Sequence, residues 1–335
     1  MKKVLISILT LLTVGSVFGD ERKLDQWIVD PLNHFSKSEI QKNPAELDLD
    51  GQDIFRFSIQ HGGCETDDSG WSDCKNDRQR VELKDGYRLS LQSWSSSHSL
   101  TRFYRVPLYI PSEDEWPDTF PMRQMIHQKK LKGKNNPIWM VHYKRGNLTI
   151  ETDSAGSCVI DQRHLPRERW LEIEIHANYE QYSSEKMDAL NRVARQGSFS
   201  DLMKEFTPSF RYFIDGKELC RLWSPLITER GLKDGSGPKK LQLKFGIYNT
   251  FPSKWLLNQP ENQKWIEENN IEFEPYRQAS LGQRNGAVRS SIGSPFDYEW
   301  PVRLPDQTLY YGEWIIKDKL TKLGTSKFEK NSEFI

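Results

Sequence analysis

The feature that most constrains this chain is its two-residue rhythm. Nine stretches alternate apolar and polar side chains or run as short apolar blocks. They are DIFRFSI (53–59), RVELKDGYRLSLQS (80–93), LTRFYRVPLYI (100–110), MRQMIHQ (122–128), PIWMVHYKRGNLTIET (137–152), RWLEIEIHA (169–177), FRYFIDGKELCRLW (210–223), LQLKFGIY (241–248) and TLYYGEWIIKD (308–318). Successive side chains of a strand point to opposite faces, so each run wants one face in a core. Asp85-Gly86, Arg145-Gly146 and Asp215-Gly216 stand inside three of the runs, where a tight hairpin turn needs such residues. Strand and helix do not alternate in a βαβ order, so the pattern predicts an all-β sandwich, jelly roll or barrel.

Two stretches break the rhythm. Residues 183–206 carry helical spacing at Met187, Leu190 and Val193 and again at Phe199, Leu202 and Phe206, with Gly197 as a break. They predict a short helical insertion. Residues 252–305 show little periodicity and much Pro, Asn and Gly, and are expected to form a long loop. Because it follows the run at 241–248, that loop could wall a groove; a plain surface excursion is the alternative.

The chain has 335 residues, enough for one large all-β domain or two ordinary ones. Its first residues, MKKVLISILTLLTVGSVFGD, read as a signal peptide cut after Gly19, leaving 20–335 as a single domain. The apolar run is too short for a membrane span, and the mature protein is expected to be secreted or periplasmic and monomeric. In an oxidising compartment the four cysteines favour disulfides, Cys64 with Cys74 and Cys158 with Cys220, over buried free thiols. Neither pair has zinc-site spacing. The 47 basic and 47 acidic residues cancel, so no global field draws nucleic acid or an anionic membrane. An acidic ligand would need a local patch.

Several polar faces could carry chemistry. Alternation puts Arg78, Arg80, Glu82 and Lys84 on one face, and Gln242, Lys244 and Tyr248 on another, with Gly246 opening a gap that suits a bound ring. In a regular strand Arg123, Met125, His127 and Lys129 share a face, opposite Gln124, Ile126 and Gln128. Two basic neighbours favour a neutral His127, which can take a proton. Glu172 and Glu174, with His176, offer paired carboxylates of the kind used in glycoside hydrolysis, or simply the wet side of a sheet. His61, Glu65, Asp67, Asp68 and Asp73 could suit a structural calcium ion, though a plain acidic loop is the simpler reading. Asn147-Leu148-Thr149 is a glycosylation sequon that carries no weight in a bacterial-type exported chain.

Three segments, DRQRVEL, QMIHQ and LKFGIYN, occur in this order and together resemble the jelly-roll polysaccharide lyases of the heparin lyase I-like and glucuronan lyase-like families. The resemblance spans about residues 50 to 318 and implies a concanavalin A-like jelly roll. It implies β-elimination on a uronic-acid polysaccharide with no cofactor required. By position, Arg80 and Glu82 match the Arg-x-Glu strand, His127 the catalytic His, and Lys244 and Tyr248 the late Lys-x-x-x-Tyr strand. His127 and Tyr248 would then move protons, with Arg80 stabilising the carboxylate. Lys244, Gln124, Glu82, Arg123 and Gln242 would line the substrate. In one departure, Met125 stands where these families often place Gln, and Gln124 is three residues before His127. A non-catalytic carbohydrate-binding protein and a glycoside hydrolase on the same sandwich are the alternatives. The Glu-x-Asp-x-x-Glu run of family-16-type hydrolases is absent.

Overall fold

The computed structural model describes residues 23–320 except 25, 32, 35, 69, 86–88, 91–100, 119–122, 132–136, 154–155, 181, 196–205, 228–239, 272, 278–283 and 291–293. The expected signal peptide and the expected break at Gly197 lie outside the described residues. Two antiparallel sheets face each other. The front sheet runs, in spatial order, β1 (Lys23–Leu24), β2 (Trp27–Val29), β5 (Arg78–Lys84), β15 (Lys240–Thr250), β8 (Arg123–Leu131), β9 (Pro137–Lys144), β10 (Asn147–Thr152) and β11 (Ser157–Ile160), with β6 (Leu89–Ser90) also on β15. The back sheet runs β14 (Lys217–Leu222), β13 (Phe210–Ile214), β12 (Trp170–Asn178), β7 (Thr101–Tyr109), β18 (Gln307–Gly312), β4 (Ile54–Ile59) and β3 (Ser38–Lys42), with β19 (Ile315–Lys317) on β7. This is a jelly-roll sandwich, one of the architectures the alternation allows and the one the resemblance implies.

The apolar half of each run meets its counterpart from the other sheet. Val81, Leu83, Val141, Phe245 and Ile247 from the front pack with Phe57, Val106, Ile173, Leu309 and Tyr311 from the back in one continuous core. Such burial is the main favourable term in folding. The hairpins expected at Arg145-Gly146 and Asp215-Gly216 both form, joining β9 to β10 and β13 to β14. Both residues of each turn have positive φ, the geometry that matches strand twist.

Asp85-Gly86 does not make the expected hairpin. β5 and β6 both pair with β15 rather than with each other. Asp85 instead serves β15: its N–H donates to the Leu243 carbonyl at 3.0 Å, and its Oδ1 accepts from the Leu243 N–H at 3.0 Å. The segment 252–305 is also not a structureless loop. It holds α2 (Ser253–Leu257), α3 (Pro260–Glu268) and a hairpin of β16 (Phe273–Arg277) and β17 (Arg284–Ser290). Leu256, Phe296, Trp300 and Leu304 form a second small core there, packed on Cys64. The first part of the helical insertion is α1 (Ser184–Arg195), whose Leu190 and Val193 pack with Tyr182 and Phe206.

Both expected disulfides are present and no described cysteine is free. Cys158–Cys220 joins β11, at one end of the front sheet, to β14, at the matching end of the back sheet, across 62 residues. It therefore staples the open side of the sandwich. Loop-closure entropy for that span gives about 4 kcal/mol. The double variant Cys158→Ser/Cys220→Ser is expected to lose about that much unfolding free energy in denaturant. A loss under 1 kcal/mol would show that the sheets' packing alone holds this edge.

Candidate active site

A compact cluster of buried charge, Asp30, Asp73, Arg80, Glu82 and Lys244, sits on the outer face of the front sheet. The pairing of β5 with β15 is regular: Arg80 stands opposite Tyr248, Glu82 opposite Gly246, and Lys84 opposite Lys244. Arg80 is clamped. Its Nε and one terminal nitrogen donate to the two oxygens of Asp73 at 2.8 and 3.2 Å. Its other terminal nitrogen lies 3.4 Å from Glu82 and 3.6 Å from Asp30. The guanidinium covers the Tyr248 ring at 4.2 Å from the centroid, a cation–π contact. The Lys244 ammonium donates to Asp30 at 2.5 Å. Gln128 donates to Glu82 at 2.8 Å. Burial raises the Asp30 carboxyl, but Lys244 and Arg80 outweigh it and hold the group well below the usual carboxylate range.

Asp30 and Asn33 come from the stretch after β2 and were not singled out in the sequence. Asn33 completes the edge of β5, accepting from the Glu82 N–H at 3.1 Å and donating to the Glu82 carbonyl at 3.2 Å. Only the fold brings residues 30–33 beside 80–84, so a single-strand pattern could not find them.

The face of β8 differs from the expected one. Between Met125 and His127 the pairing with β9 slips by one residue, a β-bulge. Ile126 and His127 both point into the core, and the alternation resumes with opposite parity. Gln128 and Lys130 therefore face outward and Lys129 inward, the reverse of the regular-strand expectation. His127 is fully buried between the sheets: its Nδ1 is 3.3 Å from the Tyr311 hydroxyl and its Nε2 3.4 Å from that of Tyr212. Burial pushes its imidazole down to about 3, so it is neutral. It lies on the opposite side of the front sheet from Tyr248 and cannot share a substrate with it. The bulge follows Gln124, which also points inward and donates to Gln307 at 3.0 Å, so it does not share the outer face with Tyr248.

Other expected residues are also placed. Arg123 is on the outer face and half exposed, and donates to Glu151 of β10 at 3.0 Å. Gln242 is buried and donates to the Asp85 carbonyl at 3.1 Å. Gly246 has φ of +133°, and a Cβ there would lie 2.2 Å from the Val81 carbonyl oxygen and 2.9 Å from Phe57. Close approach of β15 to β5 therefore requires this glycine, rather than room for a ring. Glu172 and Glu174 lie on the far side of the back sheet, bound to Arg105 at 3.6 and 2.8 Å, with His176 2.6 Å from Glu174. They are an ion-pair network remote from Tyr248. Asp73, from the acidic loop, is committed to Arg80 and to the Trp71 indole N–H. Among the described residues no group of three or more His, Cys, Asp or Glu side chains could hold a metal ion.

The registers set out one cross-strand row on the outer face. Arg80 (β5), Tyr248 (β15), Met125 (β8), His142 (β9) and Thr149 (β10) stand opposite one another in turn. His142 is 2 % exposed, and neither ring nitrogen has a hydrogen-bond partner. Its Nε2 is 3.7 Å from the same Glu151 oxygen that Arg123 holds, too far for a hydrogen bond. Burial lowers its pKa below the ordinary value, against the pull of Glu151. Burial raises the Tyr248 phenol above its ordinary value, against Arg80 and Arg78. At neutral pH the row thus holds a neutral imidazole and a protonated phenol, with buried Met125 between them.

A family model described as polysaccharide lyase matches residues 23–270. The chain belongs to the polysaccharide lyase family. The enzyme class implied by the three sequence segments therefore stands, and its substrate is a polysaccharide. No curated protein matches the chain by sequence. Among solved structures it is similar to a cellulose-induced protein, Cip1, at 7 % identity and a TM-score of 0.42, covering 88 % of this chain and 92 % of that one. A GH131 β-glucanase catalytic domain from Podospora anserina gives 8 % identity and 0.40, with 88 % and 85 % coverage. Alginate lyase vAL-1 from Chlorella virus gives 10 % identity and 0.36, with 88 % and 93 % coverage. No helix among the described residues is long and apolar enough to cross a membrane.

Proposed function

We propose that this lyase is exported and cleaves a uronic-acid-containing polysaccharide by β-elimination, with Tyr248 as the acid and His142 as the base. The observation that carries the reading is the row Arg80–Tyr248–Met125–His142, with a protonated donor on one side of an apolar floor residue and, on the other, a neutral imidazole whose Nε2 is 3.7 Å from Glu151. With strands about 4.8 Å apart, the Tyr248 and His142 backbones are roughly 10 Å apart, and a sugar ring over Met125 would meet both side chains. His142 takes the proton from C5. That electron pair forms the C4–C5 double bond as the C4–O4 bond breaks, and Tyr248 gives its proton to the departing oxygen. Solvent then returns the proton from the imidazolium to the phenolate.

Two cations have separate jobs. Arg80 is saturated by Asp73, Asp30 and Glu82 and fixes the Tyr248 ring. Arg123 is the cation with reach. Its bridge from β8 to Glu151 on β10 passes over β9, where His142 lies. A uronate carboxylate that takes Arg123 from Glu151 both gains a charge partner for the developing negative charge and uncovers the base.

The test is a panel of acidic polysaccharides assayed for new unsaturated-uronate absorbance. Absorbance on at least one uronate polymer is expected. Reducing ends released without that absorbance would overturn the elimination reading in favour of hydrolysis.

A further inference from the structure

The bulge in β8 has a second effect, at the other end of the face. It turns Lys130 outward, beside Gln242 of β15, while Lys84 of β5 stands opposite Lys244. Lys84 and Lys130 thus flank β15 from its two sides. Lys244, between them, is committed to Asp30, and Gln242 to the Asp85 carbonyl. Lys84 and Lys130 are both half-buried, and Asp30 and Glu82 act on them only across space, since Asp30 contacts Lys244 and Arg80 and Glu82 contacts Arg80 and Gln128. A half-buried ammonium whose nearby carboxylates are already in contact with other cations is held at a cost. At Lys130 burial, then Lys244 and Arg80, push the group down to about 8, against Glu82 and Asp30. An anion seated between the two lysines would relieve both.

We propose that Lys84 and Lys130 form a second, distal anion subsite that receives an acidic group of a sugar residue further along the polymer. Lys244 is four residues from Tyr248, so the subsite begins about 14 Å from the reacting row, counted at 3.4 Å per residue. One sugar residue cannot span that distance. The subsite therefore reads chain length, and it rests on the reading of the face as an acidic-polysaccharide groove. The ligand chemistry is an oxyanion, either a uronate carboxylate or a sulfate ester.

Binding tests it without turnover. In the Tyr248→Phe background, migration is measured in native gels containing a polyuronate, a sulfated neutral polysaccharide or a neutral dextran. Lys84→Met/Lys130→Met is expected to weaken retardation by the polyuronate at least tenfold, and the Lys→Arg pair to preserve it. In titrations with oligouronates, the Met pair is expected to lose the gain in affinity of long oligomers over dimers, with dimer binding unchanged. Weakening confined to the sulfated polymer would assign the subsite to sulfate. Equal migration of parent and Met pair in all three gels, with unfolding midpoints alike, would overturn the proposal. Elimination by the wild-type enzyme is assayed separately, so failure of the uronate reading is told apart from failure of the subsite.

Discussion

Tyr248→Phe is expected to reduce turnover by about 10²–10⁴, the usual cost of losing a positioned proton-transfer group, while leaving the fold and polymer binding intact. The change removes one oxygen from a ring that stays packed under the Arg80 guanidinium at 4.2 Å. That guanidinium is in turn fixed by Asp73 through two hydrogen bonds, so the ring's seat does not depend on the hydroxyl. The wild-type phenol is protonated well into the alkaline range, because burial outweighs the nearby arginines. It is thus a donor throughout the neutral range, as the leaving oxygen requires. The measurement is kcat on the best uronate polymer, beside a denaturation midpoint and gel retardation. A variant with wild-type kcat would make Tyr248 part of the groove wall and move the acid elsewhere in the row.

The sandwich and half of this row were legible in the sequence, for a physical reason. Where one face of a strand is buried, the alternation must match the pleat, so β5 and β15 could be read residue by residue. Arg80, Lys244 and Tyr248 fell on the expected side because their two strands pair without a slip. β8 was misread because a bulge leaves little local mark. Met125-Ile126 is an adjacent apolar pair within an otherwise alternating run, and that was the one available sign. Nothing nearby said that Ile126 and His127, rather than Met125 and Ile126, would both turn inward. His127 and Lys129 therefore carried polar atoms into the core, where tyrosines and Asp85 satisfy them. His142 had the opposite difficulty. In PIWMVHYK the inward set Trp139, Val141 and Tyr143 already puts it on the polar side with Met140 and Lys144. Its significance lies in the two strands that separate it from Tyr248, and pairing across strands is not written in any one of them.

His142→Asn is expected to cut turnover by about 10²–10⁴ as well, and the pH profile of the remaining activity separates a base from a packing residue. Wild-type His142 titrates below its ordinary value of 6.5, because burial outweighs the attraction of Glu151, and Arg123 and Lys144 add to the lowering. A base must be unprotonated, so the midpoint of the acid limb of kcat/KM should lie below pH 6.5. Tyr248 titrates above its ordinary value of 10.0, so the midpoint of the alkaline limb should lie above that point. The wild-type profile is then a broad plateau bounded by these two groups. In His142→Asn the acid limb should vanish while the alkaline limb stays, since Tyr248 and its Arg80 clamp are untouched. Loss of activity with both limbs unchanged would mean that the imidazole only supports Met125 and Glu151. Full activity with the acid limb intact would leave Tyr248 to move both protons from one face of the sugar, and the groove would then need only its phenol.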